Sequence, residues 1–171
     1  MTYKRFEDLP VWNEAMRLAH RVFDLTETPG IKISQSLRDQ IERSVMSISD
    51  NVAEGFERGT TNELLAFLYI ARGSAGETRS KLIFMEQRPR LADFKSEIAA
   101  LKLLAESCSR QLRGWAESLQ DSDIKGQRHL NRRTRQADEG RKRAAAVQKV
   151  LLSKLPPDHP LVRAAEARGL E

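Results

Sequence analysis

Apolar residues recur at helical spacing through the first 120 positions. Val11, Ala15, Leu18, Val22 and Leu25 share one face of a helix expected from about Leu9 to Leu25. Asp8 is the expected N-cap, and Pro10 is tolerated in a first turn whose amides are unbonded anyway. Thr28-Pro29-Gly30 ends the segment. A second stripe is longer. Ile33, Leu37, Ile41, Val45, Ile48, Val52 and Phe56 lie 4, 4, 4, 3, 4 and 4 residues apart, with Ser34 placed as N-cap and charges on the opposite face. Gly59 is the expected left-handed residue at its end.

Thr60 and Glu63 have capping-box spacing and open a third helix to about Gln87. Its stripe is Leu64, Phe67/Leu68, Ala71, Ala75, Thr78, Leu82 and Met85. Gly73, Ser74 and Gly76 make its middle small, which predicts close approach of a neighbouring backbone there. The fourth helix, closed off from the third by Pro89, carries a heptad seam: Leu91, Phe94, Ile98, Leu101, Ala105, Cys108, Leu112, Trp115 and Leu119. Leu103 and Leu104 lie beside that seam and, with exposed Trp12 or Phe84, predict apolar surface beyond one interior.

Four amphipathic helices with short connections and no strand-like alternation predict an all-α fold, an antiparallel up-down four-helix bundle over residues 1–120. The texture changes after Gln120. Asp121 to Arg135 is polar and aperiodic, and reads as a linker or a solvated helix. Arg141 to Leu155 reads as a short amphipathic helix stopped by Pro156-Pro157, and Leu161 to Arg168 as a last short one. Residues 121–171 therefore form a basic, partly helical C-terminal extension.

Charge separates the two parts. Residues 1–122 hold 17 Lys and Arg against 18 Asp and Glu, whereas residues 123–171 hold 12 against 6. A neutral body joined to a basic tail points to a polyanion partner. Apolar residues at 40% and charged residues at 31% fit a soluble helical protein. No apolar run nears the ~20 residues of a membrane span, no secretory signal is visible, and the single cysteine excludes a disulfide framework. A cytoplasmic protein without a membrane role is expected.

From its first residues through the third helix, the chain resembles a known family. Phe6, Leu9, Val11 and Trp12, then Ser47, Ile48, Asn51, Val52, Ala53, Glu54 and Gly55, then Ala71, Gly73, Ser74 and Glu77 fall on three motifs of the bacterial four-helix-bundle proteins of 23S rRNA intervening sequences. That family also includes the accessory variability determinants of diversity-generating retroelements. The resemblance covers about residues 3–118. It implies a homo-oligomer, a pentamer in those relatives, that binds nucleic acid and a reverse transcriptase. The bundle here departs from the basic relatives by its balance of −1.

Chemistry follows from these placements. Ser47, Asn51 and Glu54 flank the stripe at i, i+4 and i+7, and read as a structural polar cluster rather than a ligand site. Gly73, Ser74 and Gly76 sit mid-helix with no preceding strand, so packing is preferred over a phosphate loop. Catalysis is not expected. His20, His129 and His159 lack the Glu-x-x-His partner of di-iron bundles, since Arg17, Gly126 and Pro156 stand where the glutamate is needed. No cofactor or metal is expected, and Cys108 on the seam reads as a small hydrophobe.

The binding candidates are basic. Arg128, Arg132, Arg133 and Arg135 form one cluster and Arg141, Lys142 and Arg143 another, with Lys149 beyond them. Such groups bind phosphates and release counterions without reading sequence. No aromatic follows Trp115, so base stacking on the tail is not expected, and RNA shape is a better fit than DNA sequence. Arg38, Arg43, Arg58, Arg72 and Arg79 add bundle cations, each otherwise an ordinary surface charge. The alternative is a protein-interaction module whose tail docks on a partner or a neighbouring subunit.

Overall fold

Five helices follow one another in the computed structural model: α1 (Pro10–Glu27), α2 (Gln35–Glu57), α3 (Thr61–Glu86), α4 (Lys95–Gln120) and α5 (Arg132–Ser153). Short 3-10 turns at Phe6–Asp8 and Pro89–Phe94 precede α1 and α4. The structure describes residues 3–121, 132–156, 159–160 and 162–163, with only the backbone for residues 132–139, 141, 142 and 145. Every regular element among them is helical. The chain divides into two compact units, residues 1–128 and 129–171.

Local chemistry sets the helix ends. Asp8 is not the cap of α1. It belongs to the 3-10 turn, where its amide bonds Arg5 O at 3.2 Å, and Leu9 occupies the N-cap without a side-chain bond. Asn13 does not replace the cap but ties the helix to the preceding turn, donating Nδ2 to the carbonyls of Glu7 at 2.8 Å and Leu9 at 3.1 Å. Pro10 takes the first helical position, as its fixed φ favours. Ser34 caps α2 by accepting from Leu37 N. Thr60 caps α3 by accepting from Glu63 N at 3.2 Å, and its hydroxyl donates to the Glu63 carboxylate at 2.7 Å.

The left-handed glycine is Gly30, at φ +87°, not Gly59. After α2 the chain leaves through extended Arg58 and reaches Thr60 two residues later, also extended. So short a link ends one helix and caps the next with no room for a left-handed turn.

In the first unit, α1 packs on α2 and α4, and α3 packs on α2 and α4. One continuous core results, with Leu18, Ile41, Ile48, Leu64, Leu68, Leu82, Ile98, Leu101 and Leu112 among its buried side chains. Each contributes roughly 1.5–3 kcal/mol on burial, against ~0–1 for an exposed ion pair, so the stripes and not the surface charges hold the bundle. A two-pronged pair at 2.9 and 2.8 Å joins Arg21 of α1 to Glu97 of α4. Contacts run in opposite senses along neighbours: Ser44 meets Thr78 and Ser47 meets Ser74 across α2 and α3. Glu86 meets Lys102 and Arg79 meets Glu106 across α3 and α4.

Two surface expectations are corrected. Leu104 is buried and only Leu103 is exposed, at 67%. The heptad seam is broadened by Leu104 and Ala116, because α4 packs against both α1 and α3 and needs a wider apolar face than two helices would. Trp12 is half-buried, edge-on to Phe6 with ring centroids 5.3 Å apart, so the first 3-10 turn shields it.

In the second unit, α5 begins at Arg132, well before the Arg141 expected from apolar spacing. Arg, Gln, Ala and Glu form helix by intrinsic propensity, and that leaves no periodic signature to read. The helix stops at Ser153, ahead of Leu155 and Pro156. The expected final helix, 161–168, lies almost wholly outside the described residues.

Candidate nucleic-acid interface

The motif residues of α2 and α3 meet in a ladder of hydroxyls. Asn51 Nδ2 donates to Ser47 O at 2.7 Å and to Ser47 Oγ at 3.0 Å. Ser47 Oγ lies 2.9 Å from Ser74 Oγ, which donates to Ile70 O. One turn along, Thr78 Oγ1 pairs with Ser44 Oγ at 3.0 Å, and Ser44 donates to Ile41 O. Thr78 is fully buried, and Ser44 and Ser74 nearly so. Their hydroxyls are spent on each other and on carbonyls, which suits helix packing rather than a ligand. Glu54 is not part of the cluster. It turns outward to pair with Arg58, and Glu77 likewise pairs with Lys81. Ser44 sits at the edge of the α2 stripe, and the sequence reading missed it because a serine there is indistinguishable from a solvated one.

Close approach occurs at Gly55 and not at Gly73 or Gly76. A Cβ on Gly55 would lie 2.7 Å from Phe67 Cβ and 3.2 Å from Leu64 Cδ1, whereas Gly73 and Gly76 face open space. The small stretch of α3 sits mostly on its outer side, and only Ala71, Ser74 and Ala75 point inward.

The bundle arginines do not form one patch. Arg58 pairs with Glu54 and lies over the Phe67 ring at 5.0 Å. Arg79 pairs with Glu106 at 3.5 Å. Arg43 shares a groove with Asp39, Glu42 and Asp50. Arg38, Arg43 and Arg72 have no ion pair among the described residues, but they are spread over α2 and α3.

The basic groups of the tail are gathered on one element. Arg132, Arg133, Arg135, Arg141, Lys142, Arg143 and Lys149 all belong to α5, against Asp138 and Glu139. Arg143 and Lys149 are exposed. Arg128 lies outside the described residues. Positions 135, 142 and 149 are seven apart, so they recur along one side of the helix, roughly 10 Å from one to the next.

Cys108 is fully buried, and burial pushes its thiol up to about 12, with the Glu14 charge adding to the effect. The thiol is therefore neutral at physiological pH and a poor nucleophile. No group of three or more His, Cys, Asp or Glu among the described residues is arranged to hold a metal ion. No described helix is long and apolar enough to cross a membrane.

Comparison with curated proteins gives no match. The description of one family, the 23S rRNA-intervening sequence proteins, matches residues 7–114, which span the hydroxyl ladder, Gly55 and most of the core. With that match over more than half its length, the chain belongs to the 23S rRNA-intervening sequence protein family.

Proposed function

We propose that the protein is a non-catalytic, oligomeric scaffold that binds structured RNA through its basic C-terminal helix. One observation carries the reading: α5 concentrates seven basic residues against two acidic ones, beside a bundle of almost balanced charge. The family name, which refers to ribosomal RNA, supports an RNA target over DNA. The opposite-sense contacts of α3 with α2 and α4 support an antiparallel up-down arrangement of the bundle. A reverse transcriptase of a retroelement, the protein partner implied by the resemblance, completes the proposal.

Phosphate binding by α5 predicts a steep salt dependence. With about six phosphates engaged, log K falls against log salt with a slope near −5 on a duplex, or roughly a thousandfold between 50 and 200 mM. Fluorescence anisotropy of a labelled RNA hairpin across that range measures it, with a DNA duplex of equal length in parallel. A flat profile rejects phosphate contact, and equal affinity for both duplexes rejects the preference for RNA.

The scaffold role rests on the outer side of α3. Tyr69, Ile70, Ile83 and Phe84 are 46, 51, 38 and 49% exposed, with Gly73 and Gly76 between them. Two exposed apolar pairs with small residues between them suit a subunit contact. The double substitution Ile70→Asp with Phe84→Asp is expected to reduce an oligomer to monomer in light scattering at micromolar concentration. A wild-type monomer, or a variant of unchanged mass, overturns the assembly.

A further inference from the structure

An open groove of about 520 Å³ runs between α1 and α2. Its floor is apolar, formed by half-buried Phe23 and Met46, and its rim holds Asp39, Glu42 and Asp50 against a single cation, Arg43. Apart from the adjacent Glu42 and Arg43, these α2 residues follow one another at intervals of three or four, so they line a single strip roughly 17 Å long, about three helical turns. Thr26 donates to Glu42 Oε1 at 2.6 Å, and Gln35 donates to Asp39 Oδ1 at 2.6 Å. Each carboxylate is thereby anchored through one oxygen and keeps the other for a ligand. Asp50 has no ion pair or hydrogen bond through its side chain among the described residues. Ser47 and Asn51, which also border the groove, are taken up by the hydroxyl ladder. The chemistry left is an adaptable apolar floor under an excess of negative charge.

Such a groove fits a cationic helix with apolar residues along one side, docked in the helix-in-groove manner. The chain carries a helix of that kind. In α5, Val147, Val150 and Leu151 are 65, 55 and 53% exposed, and Arg143 and Lys149 stand exposed beside them. Ala137, Gly140, Ala144, Val147 and Leu151 alternate gaps of three and four residues, a seam narrow enough to enter a cleft. Like charge at Arg141 and Arg143, beside this seam, disfavours pairing of α5 with another α5 and favours an acidic seat.

We propose that the α1–α2 groove of one copy receives α5 of a second copy, with Val147 and Leu151 over Phe23 and Met46 and the cations of α5 against Asp39, Glu42 and Asp50. The contact goes beyond RNA binding and controls it. The same cations serve either the groove or a phosphate backbone, so RNA and groove compete for α5.

The test uses a fluorescein-labelled peptide of residues 132–155 and the full-length protein at low salt, with no nucleic acid present. Saturable binding is expected, weakened about tenfold or more by Asp39→Lys with Asp50→Lys. Both aspartates are exposed, and circular dichroism checks that the variant keeps its helicity. A peptide carrying Arg143→Glu and Lys149→Glu is expected to regain affinity for the lysine variant, a rescue that mere disruption of the fold does not produce. The milder pair Asp39→Asn with Asp50→Asn is expected to lose less. Equal binding to wild type and both variants overturns the proposal. So does binding lost on Ile70→Asp with Phe84→Asp but kept by the groove variants, since the seat would then be the outer side of α3. Failure here leaves the salt dependence of RNA affinity unchanged, and that dependence is read separately.

Discussion

Replacing Gly55 by valine is expected to lower bundle stability by roughly 3 kcal/mol, at the upper end of what overpacking costs. A Cβ at this position meets Phe67 Cβ at 2.7 Å. That atom cannot swing away like the tip of a long side chain, because it is bonded to the α3 backbone. The helices themselves must part, and α2 and α3 share one of the two largest interfaces of the bundle. At about 4 °C or more per kcal/mol for a domain of this size, the melting temperature should fall by on the order of 10 °C. Gly114→Ala is the contrasting substitution. It also lies inside a helix, but its Cβ enters open space, so the gain of helix propensity should raise stability by about 0.5–1 kcal/mol. Thermal unfolding followed by circular dichroism compares the two. If both glycines respond alike, α2 and α3 do not approach as closely as the structure has them.

Removing residues 122–171 is expected to weaken RNA binding at least about a hundredfold near physiological salt, and to flatten the salt dependence of whatever remains. The deletion takes away 12 of the 29 basic residues and leaves a body with as many acidic groups as basic ones to within one. What is left, Arg38, Arg43 and Arg72 among it, is dispersed, and one of the three stands among carboxylates. Among the described residues the hydrophobic core and the side chains packed on it lie between Phe6 and Leu119, so the shortened chain should keep the helicity and melting temperature of its bundle. Loss of binding therefore reports on the tail and not on unfolding. Undiminished affinity in the shortened chain would move the interface onto the bundle.

Much of the bundle was legible because its signals are local. The stripe from Ile41 to Phe56, the Ser34 cap and the Thr60–Glu63 box each depend on residues within one or two turns, and all are in place. Features that depend on what lies opposite were not legible. Gly55 and Gly73 look alike in a helical stretch, and only the path of α3 makes one a contact and the other a surface. Leu103 and Leu104 are neighbours, and the choice of which is buried rests on how α1 and α3 pack against α4. The start of α5 escaped notice for a different reason. Helix held by propensity has no apolar period, so the polar stretch up to Arg135 fits a linker as well as a solvated helix. At the candidate interface, the cations were countable from the chain, but their gathering on one helix was not. Nor was the acidic groove, whose apolar floor joins Phe23 of α1 to Met46 of α2 and whose carboxylates fall on no motif.

The hydroxyl ladder has a consequence for how the chain reaches this structure. Apolar stripes are almost indifferent to sliding: moving α3 along α2 by one turn, about 5.4 Å, again sets aliphatic side chains against aliphatic side chains. Ser44, Ser47, Ser74 and Thr78 do not tolerate that slip. Each cross-helix rung would break, at a net ~0.5–1.5 kcal/mol apiece, and the hydroxyls would keep only the bonds within their own helices. The two rungs work as a vernier, turning a greasy contact that many alignments satisfy into one with a single sharp minimum. Misaligned packings of the two helices are thereby disfavoured relative to the native one.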